Sequence, residues 1–299
     1  MGQHGGERAV PPAPAPVAGK SGAGYDRGVR PLLRLALILM LAAVASFAWM
    51  HHVARADPVV RRATVHLPDW PAGQAPMRIV LLSDIHIGNA AMDAARLTRI
   101  VDQVNALRPD LVLIAGDFVH GLDPGDGALY SEALIAPLSQ LRAPRGVLAV
   151  PGNHDHQAAL TGLAPALARA GVTLLVDGAT ERGPLAIGGI ADGTWQQSID
   201  RTIVALDRLP GAKVVMAHYP DAVTRLPRNV HLLLAGHTHC GQIRLPWYGA
   251  LSPVGRARYA CGWVRDPGRL TLVTAGVGTS IMPLRLGAYP DMWLLTLQG

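Results

Sequence analysis

Short, unbroken apolar runs alternate along this chain with helix-like segments, and five of the runs stop at an aspartate, an asparagine or a histidine. Leu82-Ser-Asp84-Ile-His86, Ile114-Ala-Gly116-Asp117, Val150-Pro-Gly-Asn153-His154-Asp155, Val215-Met-Ala-His218 and Gly236-His237-Thr-His239 share that design. Runs this short and this apolar fit strands buried on both faces. Helices interleaved with such strands make a layered α/β fold. Ligands in α/β sheets collect just beyond the carboxyl ends of the strands, so the five ends are expected to converge on one pocket. Strands are expected near 78–83, 110–115, 146–150, 172–176, 185–189, 213–217, 230–235, 270–275 and 292–297, and helices near 91–107, 129–141, 157–170 and 197–208.

The chain is 49% hydrophobic and only 16% charged, where an ordinary soluble domain carries about 25% charged residues. Either a membrane segment or a large buried sheet inflates the apolar share. Residues 1–30 are rich in Gly, Pro and Ala and read as a disordered tail. Residues 31–50 read as a transmembrane anchor or signal segment: Leu35 to Met50 contains no charge, and Arg34 can snorkel to the interface. Ala54-Arg55-Ala56 has the small-x-small form of a cleavage site, which keeps the signal-peptide reading open. Residues 51–74 then form a linker and first strand, and 75–299 the catalytic domain.

Arg8, Lys20, Arg27, Arg30 and Arg34 precede the end of the apolar run, while Arg55, Arg61 and Arg62 follow it. The bias favours a single-pass anchor in the inner (cell) membrane with the catalytic domain on the periplasmic, extracytoplasmic side. The net charge of +6 divides evenly, +3 before residue 51 and +3 after it, and aromatics make up 5%. With no basic stripe and few stacking rings, no nucleic-acid partner is expected. Cys240 and Cys261 do not make a disulfide framework; two small, partly buried thiols are expected, one bond between them being the alternative.

Taken singly, each motif has a bland reading. Gly-Asn-His-Asp serves as a turn with a helix cap, and a lone histidine such as His218 is more often a core group. Their joint occurrence, each at a strand end, points to metal. Carboxylate, imidazole and amide donors suit divalent Mn, Fe or Zn. Two such ions ~3.5–4 Å apart clamp a phosphoryl group and generate hydroxide near neutral pH. Asp117 is the candidate bridge. His237 and His239 point to opposite sides of an extended chain and can serve two ions. His4, His51, His52, His66 and His231 sit in no such context, and His156 is a candidate for lining the pocket.

The order Asp84-x-His86, Gly116-Asp117, Gly152-Asn153-His154-Asp155, His218, Gly236-His237-x-His239 resembles the calcineurin-like metallophosphoesterase superfamily over about residues 75–299. The stretches GHTHCGQIRLP, RYACGW and GVGTSIMPLRLG are similar to one bacterial, membrane-associated or exported branch that includes phosphodiesterases. Some members of that branch hydrolyse the pyrophosphate of UDP-2,3-diacylglucosamine in lipid A biosynthesis. The resemblance implies an α/β fold of two mixed β-sheets packed as a sandwich flanked by helices, the metallophosphoesterase fold. It implies two ions, commonly manganese, iron or zinc: one held by Asp84, His86, Asp117 and His239, the other by Asp117, Asn153, His218 and His237. His154 is then no ligand but the catalytic acid at the leaving oxygen, and metal-activated hydroxide attacks phosphorus in line. The substrate implied is a phosphodiester or pyrophosphate, lipid-linked or of the cell envelope. A non-catalytic metal-binding scaffold and a nuclease are the alternatives. One departure bears on the chemistry. Relatives often read Gly-Asp-x-x-Asp, the last Asp orienting the histidine of Asn-His, but here the place is His120; Asp155 and His120 itself are the candidate substitutes, and strong monoesterase activity is in doubt. Leu245, Trp247, Tyr248 and Leu251 are expected either to face lipid or pocket or to pack as a loop, and Arg285 is a candidate for binding substrate phosphate.

Overall fold

In the computed structural model the described residues are 1, 9–15, 23–192 and 194–299. Residues 2–8 and 16–22 of the expected tail lie outside them. The chain divides into two compact units, residues 1–46 and 47–299. Helix α1, Ala23–Arg55, starts inside the stretch expected to be tail and continues past residue 50, so His51 to Arg55 are helix and not linker. Its segment Val29–Arg55 contains an 18-residue stretch with a mean hydropathy of 2.2, none of it buried. At 1.5 Å per residue that segment is about 40 Å long, enough for a ~30 Å hydrocarbon layer.

The second unit holds the last turns of α1 and, in chain order, β1 (Val59–His66), β2 (Met77–Leu82), α2 (Ala94–Ala106), β3 (Leu111–Ala115), α3 (Asp126–Tyr130), α4 (Glu132–Leu138), β4 (Val147–Val150), α5 (Asn153–Gln157), α6 (Leu160–Arg169), β5 (Val172–Leu174), β6 (Gly178–Arg182), β7 (Leu185–Ile190), α7 (Gln196–Leu206), β8 (Ala212–Ala217), β9 (Leu232–Ala235), β10 (Arg244–Leu245), β11 (Gly249–Ala250), β12 (Gly262–Asp266), β13 (Arg269–Val273) and β14 (Asp291–Gln298). One sheet runs β1-β14-β2-β3-β4-β5 and the other β12-β13-β9-β8-β7-β6. In the first, β2 to β5 are parallel and β14 is antiparallel to β2. In the second, β7, β8, β9 and β13 are parallel, with β6 and β12 antiparallel at the edges. Both sheets are mixed, as the sandwich reading expects.

Alternation within each strand explains the apolar runs. Ile79 and Leu81 of β2, Leu111 and Leu113 of β3, and Val214 and Met216 of β8 point between the sheets. Val80, Leu82, Val112 and Ile114 point the other way, into a layer shared with α2, α4 and α6. Val215, Ala217 and Leu233 point outward under α7. Helix α2 shows why the helical segments form. Asp93 caps it by accepting from Arg96 N at 2.8 Å. Leu97, Ile100, Val101 and Val104 make one buried stripe on it.

The expected helix 129–141 divides at Ser131 into α3 and α4, and the expected helix 157–170 divides near Ala158 into α5 and α6, where Ala159 takes a left-handed φ of 64°. Strands β6 and β12 have no counterpart among the expected elements. They are partly exposed edge or near-edge strands without an apolar run. Strand β1 pairs with β14 along its whole length, so the sheet unit reaches back before residue 75.

Candidate metal centre

Strands β2, β3 and β4 are parallel neighbours in one sheet, and β8 and β9 are parallel neighbours in the other. All five carboxyl ends therefore open at one end of the sandwich. The loops stay in register past the strands: Asp84 N donates to Gly116 O at 2.9 Å, His86 N to Asp117 O at 3.0 Å, and Gly236 N to His218 O at 3.2 Å. Five of the seven candidate ligands leave their strands in the left-handed region, Asp84, His86, Asp117, His237 and His239 having φ between 49° and 72°. Such strain in non-glycine residues persists only where surrounding structure enforces it, and it gathers at functional sites. Two glycines make room. A Cβ on Gly152 would collide with the Asp117 carboxylate, and one on Gly236 would lie 2.5 Å from Asp84 Oδ2.

The candidate ligands form a continuous chain of donor atoms. His239 Nε2 is 3.2 Å from Asp84 Oδ1 and 3.2 Å from His86 Nε2. His86 Nε2 is 3.4 Å from Asp117 Oδ2, which is 3.1 Å from His218 Nε2. His218 Nε2 in turn is 3.2 Å from His237 Nδ1. Ligand atoms ~2.0–2.2 Å from a common ion lie about 3 Å from one another, so these spacings are those of a coordination shell. Asn153 borders the same cavity as Asp117, and its Oδ1 is buried with no hydrogen-bond partner, as is His86 Nδ1. A buried amide oxygen without a partner is costly unless something accepts it as a donor. The residues present thus fit a pair of divalent ions: Asp84, His86 and His239 on one side, His218, His237 and Asn153 on the other, Asp117 between them.

Electrostatics agree for three of the four candidate histidines. Burial pushes His86 and His237 down to about 3, and holds His239 well below its ordinary value. Their rings are neutral at pH 7, with a lone pair free for a cation. Burial alone would lower His218, but the Asp117 carboxylate beside it raises it to about 10. Its Nδ1 donates to Ala115 O at 2.7 Å, which leaves Nε2 facing the site. Burial raises the Asp84 carboxyl to about 6. It would also raise Asp117, but the charge and hydrogen bond of His218 hold Asp117 below the usual carboxylate range.

His154 stands at the rim of this cluster, with Ser280 Oγ 3.3 Å from its Nε2. One of its ring nitrogens is within 4.8 Å of donor atoms of His86 and Asp117. Its Nδ1 donates to the main-chain carbonyl of His120 at 2.5 Å. That carbonyl makes the contact to His154 that the resemblance assigns to the aspartate missing from Gly-Asp-x-x-Asp. Asp155 does not make it. Its carboxylate accepts from the backbone N–H groups of Asp117 at 2.9 Å, Phe118 at 2.8 Å and Gly152 at 2.8 Å, and so ties the β3 loop to the β4 loop.

Three expectations are corrected here. Arg285 does not reach the site mouth. It is fully buried, and its guanidinium donates to the carbonyls of Ala275, Gly278 and Ala288 and lies 3.3 Å from His239 Nδ1. Cys240 and Cys261 are bonded to each other, with Cα atoms 4.7 Å apart, and are not free thiols. His156 bonds to Ala191 O at 3.1 Å and does not border the cavity. His51, His66 and His231 each bond a main-chain carbonyl away from the cluster.

Two clefts share His237. The first, about 350 Å³, is bordered by Asp117, Asn153, His154 and His239 and by the apolar Ile243, Leu251, Val254, Ile281 and Met282. The second, about 310 Å³, is bordered by Tyr219, Asp221, Arg225 and Arg256. A larger groove of about 650 Å³ at Arg62, Arg78 and Arg108 lies at the opposite ends of the β2 and β3 strands and contains none of the candidate ligands.

Residues 77–241 match the calcineurin-like phosphoesterase family. The chain is similar to the metallophosphoesterase YkuE of Bacillus subtilis, 31% identical over 244 residues covering 77% of this chain and 82% of that one. It is similar to the phosphodiesterase YaeI of Escherichia coli, 30% identical over 275 residues covering 86% and 94%. It is also similar to a Bos taurus transmembrane protein with a metallophosphoesterase domain, 28% identical over 310 residues covering 94% and 66%. On its matched domain, its donor cluster and these relatives, the chain belongs to the calcineurin-like phosphoesterase family and is a metal-dependent hydrolase of phosphoric esters.

Proposed function

We propose that this protein is a membrane-anchored phosphodiesterase whose substrate carries one apolar and one polar arm. Asp84, His86, Asp117 and His239 would hold one divalent ion, and Asp117, Asn153, His218 and His237 the other. Two ions held there supply positive charge to the phosphoryl oxygens and lower the pKa of water toward neutrality. The observation that carries the reading is the pair of clefts meeting at His237, one walled by aliphatic side chains and the other bordered by Arg225 and Arg256. A monoester needs one such cleft, whereas a diester or pyrophosphate fills both. Its apolar arm lies along Ile243, Leu251 and Val254, beside His154. His154 donates a proton from Nε2 to the leaving oxygen, its ring fixed by the His120 carbonyl at Nδ1. A carbonyl orients the ring but adds no negative charge, so this site is better matched to diesters than to monoesters with poor leaving groups.

The extracytoplasmic side is the better-supported location. A disulfide persists in oxidising compartments, and Cys240–Cys261 sits beside a candidate ligand. The Bos taurus relative's name gives independent support for an anchor. A UDP-linked lipid met in the cytoplasm fits this location poorly, so an envelope lipid phosphodiester is favoured over UDP-2,3-diacylglucosamine. The test is hydrolysis of bis(p-nitrophenyl) phosphate by the full chain in detergent with added Mn, Fe or Zn. Turnover faster than on p-nitrophenyl phosphate is expected. A folded, metal-loaded sample inert toward the diester would sink the reading.

A further inference from the structure

Two loops beside the first cleft expose large apolar side chains to the outside. The β10–β11 hairpin carries Trp247, fully exposed at 103%, and Tyr248 at 73%. The loop before β14 carries Ile281 at 68% and Met282 at 49%. Large apolar side chains left exposed on two neighbouring loops are the kind of surface that marks an interaction site. Trp and Tyr are the side chains that favour the boundary between hydrocarbon and water, because each joins a large apolar ring to a polar handle.

These loops are fixed to each other and to the end of α1. Arg244 N donates to Leu286 O at 2.7 Å, and Leu286 N to Gln242 O at 3.0 Å. Gln242 Nε2 donates to the carbonyls of Ser280 at 3.0 Å and Met282 at 3.1 Å. On the other flank, Arg285 N donates to Met50 O at 3.0 Å, and His51 Nδ1 lies 2.9 Å from Pro283 O. Met50 is where the apolar run of the candidate membrane-spanning helix ends. One hydrogen-bonded assembly therefore contains the end of that helix, the 281–285 loop and the base of the hairpin, all within the second unit. Arg256, exposed two residues beyond Val254, adds a cation suited to anionic headgroups.

From this we infer that the hairpin tip and the 281–282 loop insert into the lipid interface on the side where α1 emerges. The mouth of the apolar cleft then opens onto the bilayer, and a lipid arm can enter without crossing water. The substrate part of this inference rests on the phosphodiesterase reading; the insertion itself does not.

The test uses the full chain in nanodiscs of phosphatidylcholine and phosphatidylglycerol, with and without acyl chains brominated near the headgroup. The chain has six tryptophans, so the emission of Trp247 is taken as the difference between the natural chain and Trp247→Phe, a change too mild to unfold an exposed position. That difference signal should be quenched by brominated lipid and shielded from aqueous iodide. Quenching by iodide alone would place the ring in water and overturn the inference. Shielding from both would place it against protein, such as a second copy, and would also overturn it. Trp247→Ala combined with Tyr248→Ala should slow hydrolysis of a disc-embedded phosphodiester severalfold while leaving bis(p-nitrophenyl) phosphate turnover unchanged. An unchanged rate on the embedded diester would overturn the delivery role. Failure of every variant on the soluble diester would count against the phosphodiesterase reading and leave the quenching result standing.

Discussion

Asp117 places Oδ2 3.4 Å from His86 and 3.1 Å from His218, while its other oxygen accepts from His154 N at 3.0 Å. Only a carboxylate offers there a full negative charge and, on Oδ2, a lone pair toward each side while Oδ1 is taken by the His154 N–H. Asp117→Asn keeps the shape and removes both properties. Metal analysis should find the content falling from two ions to one or none. Turnover of bis(p-nitrophenyl) phosphate should drop about 10³-fold, as expected when several kcal/mol of charge stabilisation is lost. Retention of both ions with near-natural turnover would remove Asp117 from the bridge. His154 is a different case, because its effect depends on the leaving group. His154→Ala should cost on the order of 10²-fold or more with an alkyl leaving group and much less with p-nitrophenolate, which departs without a proton. His120→Ala should leave that pattern intact, since the backbone carbonyl and not the imidazole holds His154. A loss from His120→Ala equal to that from His154→Ala would contradict the carbonyl's role. The candidate ligands were legible because metal donors are few in type and each ends an apolar run. The His120 carbonyl was not, because every residue has one. Nor was the left-handed φ at five candidate ligands, which tertiary packing imposes on residue types that do not prefer it.

At the scale of elements, two clamps hold the site's surroundings. The Cys240–Cys261 bond spans 21 positions and ties the 3₁₀ turn His239–Gly241 to the chain entering β12. Closing a loop of that size is worth about 3 kcal/mol. Cys261→Ser should therefore lower the melting temperature by roughly 6–12 °C, at 2–4 °C per kcal/mol for a chain this size. Reductant should bring the natural chain down to the same value, and equal melting with and without the bond would deny it a structural role. Arg96 is the other clamp. It is fully buried on α2 and donates to the carbonyls of Arg55, Ala56, Ala91 and Val277. These join the end of α1, the β2–α2 loop and the loop after β13. Arg96→Met fills the space but orphans those acceptors, so thermal unfolding in detergent should show a loss of about 3 kcal/mol or more. A melting temperature within a degree of the natural one would show the carbonyls finding other partners. Strands buried on both faces, such as Leu111–Ala115 and Val147–Val150, were legible because a short all-apolar run bounded by turn residues fits a buried strand. Gly178–Arg182 was not, because an edge strand needs a partner and no apolar pattern of its own. Arg96 and Arg285 defeat a composition rule, because burying a guanidinium is tolerable only when carbonyls from several loops converge on it, and only the folded chain shows that convergence.

For the whole molecule, if α1 anchors the chain as proposed, two independent features bear on which side of the membrane carries the domain that follows it. The cationic residues before and within the start of α1, Arg8, Lys20, Arg27, Arg30 and Arg34, outnumber Arg55, Arg61 and Arg62 at and beyond its end. That imbalance is modest, and the positive-inside rule alone gives a modest preference for an exported second unit. The disulfide is a stronger discriminator, because glutathione and thioredoxin keep ordinary cytosolic thiols reduced. Both features favour the extracytoplasmic side, although one is set by charge and the other by redox poise. Fusions after residue 60, just beyond α1, should therefore yield active alkaline phosphatase and dark green fluorescent protein. In the full chain, Cys240 and Cys261 should resist maleimide under denaturing conditions until reductant is added. A bright fluorescent fusion together with two freely labelled thiols would put the metal centre in the cytoplasm. Nucleotide-linked lipids would then return as substrates, and the turn carrying His239 would be held by packing alone.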